Sequence, residues 1–291
     1  MRIRATVAAV TGALALSAFA VPAAQAADAG SAYRSDAART VSHSASGKTA
    51  FTATTADDDL GVTFSNFKIA AAIKVGTTNH VSTTVTYTMT HGADYVLGSD
   101  DFANGPFLYK GSSSDTADNM LFGDAPADCT ATSATTASCK GLIDVYPGDD
   151  ELLNSDAGTW SAGALALQYS TGDGSVQDGL GKTNVQRYSK LTVNAAPEPV
   201  KKGKTVTVTG KLSRANWEDH AYHGYTGQSV KLQYRAKSSS TYTTLKTVKT
   251  DSTGNLKTTT TATADGYYRF SFAGTTTTPS VSAAGDYVDV Q

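Results

Sequence analysis

The chain is 291 residues long and nearly balanced in charge, with 24 Lys and Arg against 26 Asp and Glu and a formal net charge of −2. That balance gives no footing for nucleic acid, which calls for a clearly basic surface. The length suits two ordinary domains, and a composition rich in Thr, Ser, Gly and Tyr, without long stretches of helical period, excludes a helical bundle and favours strands joined by turns.

Residues 1–26 predict a signal peptide. Arg2 and Arg4 form a short basic start, an apolar stretch runs from Ala5 to Val21, and Ala24-Gln25-Ala26 is a small-x-small cleavage site. The apolar stretch is broken by Thr6, Thr11, Gly12 and Ser17 and falls short of a membrane span. There is no cysteine at the cleavage point for a lipid anchor, and the last residues, Tyr287 to Gln291, read as a strand and not as a sorting signal. A secreted, extracellular protein is expected, released or held only by non-covalent contacts. Residues 27–58 carry few larger apolar side chains, Tyr33, Val41 and Phe51 among them. Such a stretch buries too little to offset its ordering entropy, and it predicts a disordered leader.

Strand patterning begins after Gly61. In Val81–Met89 the residues Val81, Thr83, Val85, Tyr87 and Met89 fall on one face and Ser and Thr on the other, as in a half-buried antiparallel strand. Further short strands are predicted around Phe107–Tyr109, Gly141–Tyr146, Ala164–Tyr169 and Lys190–Val193. Residues 59–195 therefore predict an acidic β-sandwich domain. Pro197 and Pro199 bracket Glu198 in a stretch without alternation, so 196–203 predicts an interdomain linker. Residues 204–291 predict a basic sandwich, with Val206 and Val208, then Val230, Leu232 and Tyr234, then Tyr268, Phe270 and Phe272 on inward faces.

About seven strands in roughly 90 residues match the immunoglobulin-like size class. The segments Gly227–Arg235, Thr250–Gly254, Gly266–Phe270 and Asp286–Val290 resemble an immunoglobulin-like repeat of secreted actinobacterial proteins. The resemblance covers the C-terminal domain and implies a fold, an extracellular setting and a ligand mostly unknown; some relatives carry a calcium-binding label. The fold class expected is all-β, two tandem immunoglobulin-like β-sandwich domains after a signal peptide and disordered leader.

Cys129 and Cys139, in an exported chain, should pair as a structural staple. Charge divides sharply: residues 27–199 hold 20 acidic against 10 basic side chains, and residues 200–291 hold 6 against 12. One reading has the basic module adhering to anionic wall polymers or lipid surfaces; the other has the two domains attracting each other across the linker. Among the acidic loops, Asp149, Asp150 and Glu151 are the expected calcium ligands if any ion binds, although no EF-hand pattern is present. The segment Asn216–Tyr225 concentrates aromatic and His residues. Trp217, Tyr222 and Tyr225 are candidates for a ligand platform, or else plugs for the end of the sandwich, and Glu218, Asp219, His220 and His223 lack a zincin pattern. No GxSxG motif is present. The expectation is a non-catalytic extracellular binding or structural protein associated with cell-wall polymer, glycan or an extracellular protein, with no cofactor, no nucleic acid partner and no membrane span. A calcium-binding protein and a small secreted hydrolase are the alternatives.

Overall fold

A computed structural model describes residues 24–45 and 59–291. The first sandwich contains β1 (Thr63–Ile69), β2 (Ala72–Val75), β3 (Val81–Thr90), β4 (Phe102–Lys110), β5 (Asn119–Phe122), β6 (Asp128–Ser133), β7 (Thr136–Val145), β8 (Gly158–Gln168) and β9 (Gly174–Arg187). One sheet runs β1-β3-β7-β6 and the other β2-β9-β8-β4-β5, with β2 parallel to β9. The alternation of β3 is as read: Val85, Tyr87 and Met89 are buried while Ser82, Thr84 and Thr86 are exposed. These residues pack with Ile143 and Val145 of β7 and, from the facing sheet, with Leu108, Trp160, Ala162 and Val185. Cys129 and Cys139 stand directly opposite each other on β6 and β7, their Cα atoms 4.1 Å apart, and form the disulfide.

The second sheet is buried on both sides. Ala103, Phe107 and Tyr109 of β4 and Leu165 and Leu167 of β8 point away from the sandwich core into a separate apolar cluster. What covers them is α1 (Ala24–Ala45), a helix where a disordered leader is expected. Tyr33, Ala37 and Val41 recur every fourth residue, so they share one helix face, and they are 4%, 0% and 0% exposed. A count of apolar residues misses this because three well-spaced ones suffice when the sheet supplies the rest of the interface, and the Ala-rich sequence favours helix. The expected cleavage point after Ala26 falls in the first turn of α1. Residues 1–23 and 46–58 lie outside the described residues.

The second sandwich contains β10 (Ser189–Leu191), β11 (Asn194–Ala196), β12 (Thr205–Asn216), β13 (Ala221–Gly224), β14 (Ser229–Ala236), β15 (Thr243–Lys249), β16 (Asn255–Thr261), β17 (Gly266–Phe272), β18 (Val281–Ser282) and β19 (Asp286–Val288). One sheet is built on β12, which pairs with β10, β11, β13 and β16; the other runs β15-β14-β17-β18, with β19 also on β17. Val206, Val208, Leu212 and Leu256 meet Val230, Leu232, Tyr268, Phe270 and Phe272 in its core. The architecture is thus two immunoglobulin-like sandwiches in tandem.

The expected linker at 196–203 is not a spacer. Ala196 closes β11, Ala195 and Val200 are buried in the second core, and Val200 pairs in parallel with Val290. The crossing lies earlier, where β9 ends at Arg187 and β10 begins at Ser189, leaving Tyr188 alone between them. Prolines and a charge mark a linker only if nothing pairs with the backbone beside them, and here the long β12 and the C-terminal residues do.

Candidate functional site

Trp217 sits at the junction and not on a surface. It is 0% exposed, and with Ala215 it belongs to the same apolar core as Val75 and Trp160 of the first sandwich. Its indole Nε1 donates to Gly76 O at 2.9 Å, and its backbone N–H donates to Asn154 Oδ1 at 3.1 Å. A buried indole needs such a partner. Around it Arg187 Nε donates to Ala215 O at 2.6 Å, Gln186 Nε2 to Thr275 O at 2.8 Å, and Ser189 Oγ to Pro279 O at 2.9 Å. Trp217 is therefore a plug between the sandwiches, unavailable for stacking on a ligand. Tyr222 and Tyr225 are half-buried under cations, with Lys190 Nζ 3.5 Å from the Tyr222 ring centre and the Arg214 guanidinium 4.0 Å from that of Tyr225. The two loop histidines go separate ways, His220 Nε2 to Pro147 O at 2.9 Å and His223 to Asp219.

Asp149, Asp150 and Glu151 do not converge. Asp149 and Asp150 are exposed, with Asp150 in a left-handed conformation and 3.5 Å from His220. Glu151 turns inward, where Arg34 Nη1 meets it at 2.8 Å and the Tyr146 backbone N–H donates to it at 2.6 Å. The backbone fold of this loop sends neighbouring carboxylates in different directions, so the sequence run makes no ligand set.

The grouping that does converge is His80, Asp124 and Asp144, whose ligand atoms lie within 4.8 Å of one another. Its oxygens are already committed. Asp144 accepts from Ser82 and from the Asp124 backbone N–H, and faces His80 Nε2 at 3.0 Å; Asp124 accepts from the Tyr146 hydroxyl. That hydrogen bond, with burial, pushes the Tyr146 hydroxyl up to about 12. Arg34 of α1 pins the group. Its Nε pairs with Asp124 Oδ1 at 2.8 Å, and Nη2 donates to Phe122 O at 3.0 Å and to Asp144 O. A cation entering here would have to displace these contacts. Nor does the grouping form a nucleophile relay, because Ser82 and Asp144 both meet the same nitrogen of His80, and a relay uses one ring nitrogen for each partner. Nothing in the sequence links Arg34 to these residues across about a hundred positions.

The outer face of the β15-β14-β17-β19 sheet is different. Gln233 stands opposite Arg269, Arg235 opposite Tyr267, and Tyr267 opposite Tyr287, all on the side away from the core. Arg235 lies 3.8 Å over Tyr267 and 5.4 Å over Tyr242, Arg269 lies 3.8 Å over Tyr242, and Lys237 lies 5.3 Å over Tyr287. Lys231 and Lys249 are exposed on the same face, opposite Ser271 and Ser229. No Asp or Glu occurs in β14, β15 or β17. Sequence reasoning overlooked this face, although Tyr268, Phe270 and Phe272 facing inward require Tyr267, Arg269 and Ser271 to face out.

No family model and no curated protein matches the chain. Among solved structures, a marsupial T cell receptor overlaps with a TM-score of 0.36 and 13% identity, over 79% of this chain and 73% of that one. The fibronectin(III)-like modules of CbhA from Clostridium thermocellum overlap with a TM-score of 0.28 and 11% identity, over 79% and 92%. A chimeric titin Z1Z2 tandem follows at 0.27 and 14%, over 78% and 98%. These overlaps are too loose to bring a ligand or partner with them. The architecture rests on the strand pairing itself. Among the described residues no helix is long and apolar enough to cross a membrane.

Proposed function

We propose that this is a secreted, non-catalytic binding protein that attaches to the outside of cells, through wall polymer or glycan, by the outer face of its second sandwich. The observation that carries the reading is that face: cations held on tyrosine rings, with no acidic residue in β14, β15 or β17. The clusters that suggest chemistry are instead closed on themselves, since Arg34, Tyr146 and Ser82 use the carboxylates beside His80. The division of charge along the sequence supports the same reading, because the basic half coincides with the second sandwich.

The test is sedimentation of the full chain with purified cell walls and with soluble glycans across a salt series. Retention that weakens as salt rises is expected of contacts between exposed charges. No retention on any wall or glycan would refute the proposal, as would hydrolysis of a substrate by the pure protein that Ser82→Ala abolishes.

A further inference from the structure

We infer that the outer face of the second sandwich binds a phosphodiester-linked wall polymer laid along a track of four cations; the inference rests on the surface attachment proposed above. In the strand register Lys249 is paired with Ser229, and Lys231 is two residues further along β14. Arg269 is paired with Gln233, midway between Lys231 and Arg235. Each of Lys249, Lys231, Arg269 and Arg235 is thus the diagonal neighbour of the next, in steps of about 7–8 Å. A polymer with a phosphodiester every six backbone bonds repeats on that scale, since three bonds of an extended chain span about 3.8 Å. One anionic group therefore meets one cation along the row.

The two guanidiniums are set for this in advance. Each is stacked on a tyrosine ring and fastened by one hydrogen bond, Arg269 Nε to Gln233 Oε1 at 2.8 Å and Arg235 Nη1 to Ser239 O at 2.9 Å. A guanidinium has five N–H donors, so most remain free, and holding it still lowers the entropy lost on binding. Among the described residues no carboxylate lies within 4 Å of any of the four cations. At the margin Asp265 is already engaged by Tyr287, Lys237 and the Val290 N–H.

The rings decide the kind of anion. Tyr242, Tyr267 and Tyr287 each carry a guanidinium or ammonium. Neutral sugars and nucleobases bind aromatic platforms through open ring faces, whereas here a cation already sits over each ring. It offers N–H donors to a chain recognised by its charges.

The experiment measures binding of the full chain to poly(glycerol phosphate), with a polyuronate and single-stranded DNA as competing polyanions. Lys231→Glu with Lys249→Glu changes only exposed side chains; Arg235→Gln with Arg269→Gln removes the stacked pair. Each double variant should bind poly(glycerol phosphate) about tenfold more weakly or worse, as loss of charged hydrogen-bond donors implies. Polyuronate should bind the wild type at least about tenfold more weakly than poly(glycerol phosphate); single-stranded DNA also has a phosphodiester every six backbone bonds, so it should compete for the same cations without binding more tightly. Unchanged binding by the exposed-lysine variant, equal affinity for polyuronate, or tighter binding of DNA than of poly(glycerol phosphate), overturns the inference. If both variants still sediment with whole walls as the wild type does, this face is wrong, in the inference and in the proposed attachment alike, and only attachment through another surface stands. If the wild type itself does not sediment, both fall.

Discussion

At the scale of single residues, Trp217 and Asp251 act in opposite ways. Trp217 fills the contact between two cores, so Trp217→Ala should cost about 3–5 kcal/mol by the usual cavity and transfer effects. Trp217→Phe keeps most of the apolar bulk but leaves Gly76 O without its donor, a loss of about 1 kcal/mol or somewhat more; chemical denaturation followed by Tyr and Trp fluorescence separates the two. Asp251 is exposed and works through hydrogen bonds. The backbone N–H groups of Thr253 and Asn255 donate to its carboxylate at 2.8 and 2.9 Å and hold it at about 2, below its ordinary 3.8. A depressed carboxylate stabilises the fold above the ordinary range and loses that contribution as it is protonated. The melting temperature should therefore fall between about pH 4 and pH 2, and less steeply in Asp251→Asn; parallel profiles would contradict this.

At the scale of elements, α1 and the β6-β7 hairpin are each fixed by one feature. Arg34 fastens the helix to Asp124 and Glu151 from a position about a quarter exposed. Arg34→Gln should weaken the helix by on the order of 2 kcal/mol, after allowing for solvent screening, seen as faster amide exchange in α1 with the sheet behind it unchanged. Removing the Cys129–Cys139 disulfide should cost about 3 kcal/mol for a loop this short, in thermal melts of the double Cys→Ser variant. The strands and the disulfide were legible in the sequence because alternation and cysteine pairing are local signals. The helix was not, nor was the place of β10 and β11 in the second sandwich, because their burial is supplied by partners elsewhere in the chain. Tyr33 has no visible reason to be buried until Phe107 and Leu165 are placed beneath it. The candidate site shows the same divide: Trp217 stood out by composition, yet its role is set by Gly76 and Asn154 from the other sandwich.

At the scale of the whole molecule, the junction makes the two sandwiches interdependent. Ala215 and Trp217, carried by the second sandwich, complete the core of the first. Calorimetry of the wild type should accordingly give one unfolding transition, and Trp217→Ala should separate it into two. Two transitions already present in the wild type would show that the shared core does not couple them. The short crossing at Tyr188 has a mechanical meaning as well. A pair of modules on a slack spacer swings freely, and a pull on one reaches the other only when the spacer is taut. Here the connection is a strand that runs on with a single residue between its two halves, backed by an indole wedged into the opposite core. With the second sandwich lying flat on a surface, the first is carried at a set angle, and a load on it reaches the attachment face as torque. The molecule would serve as a bracket.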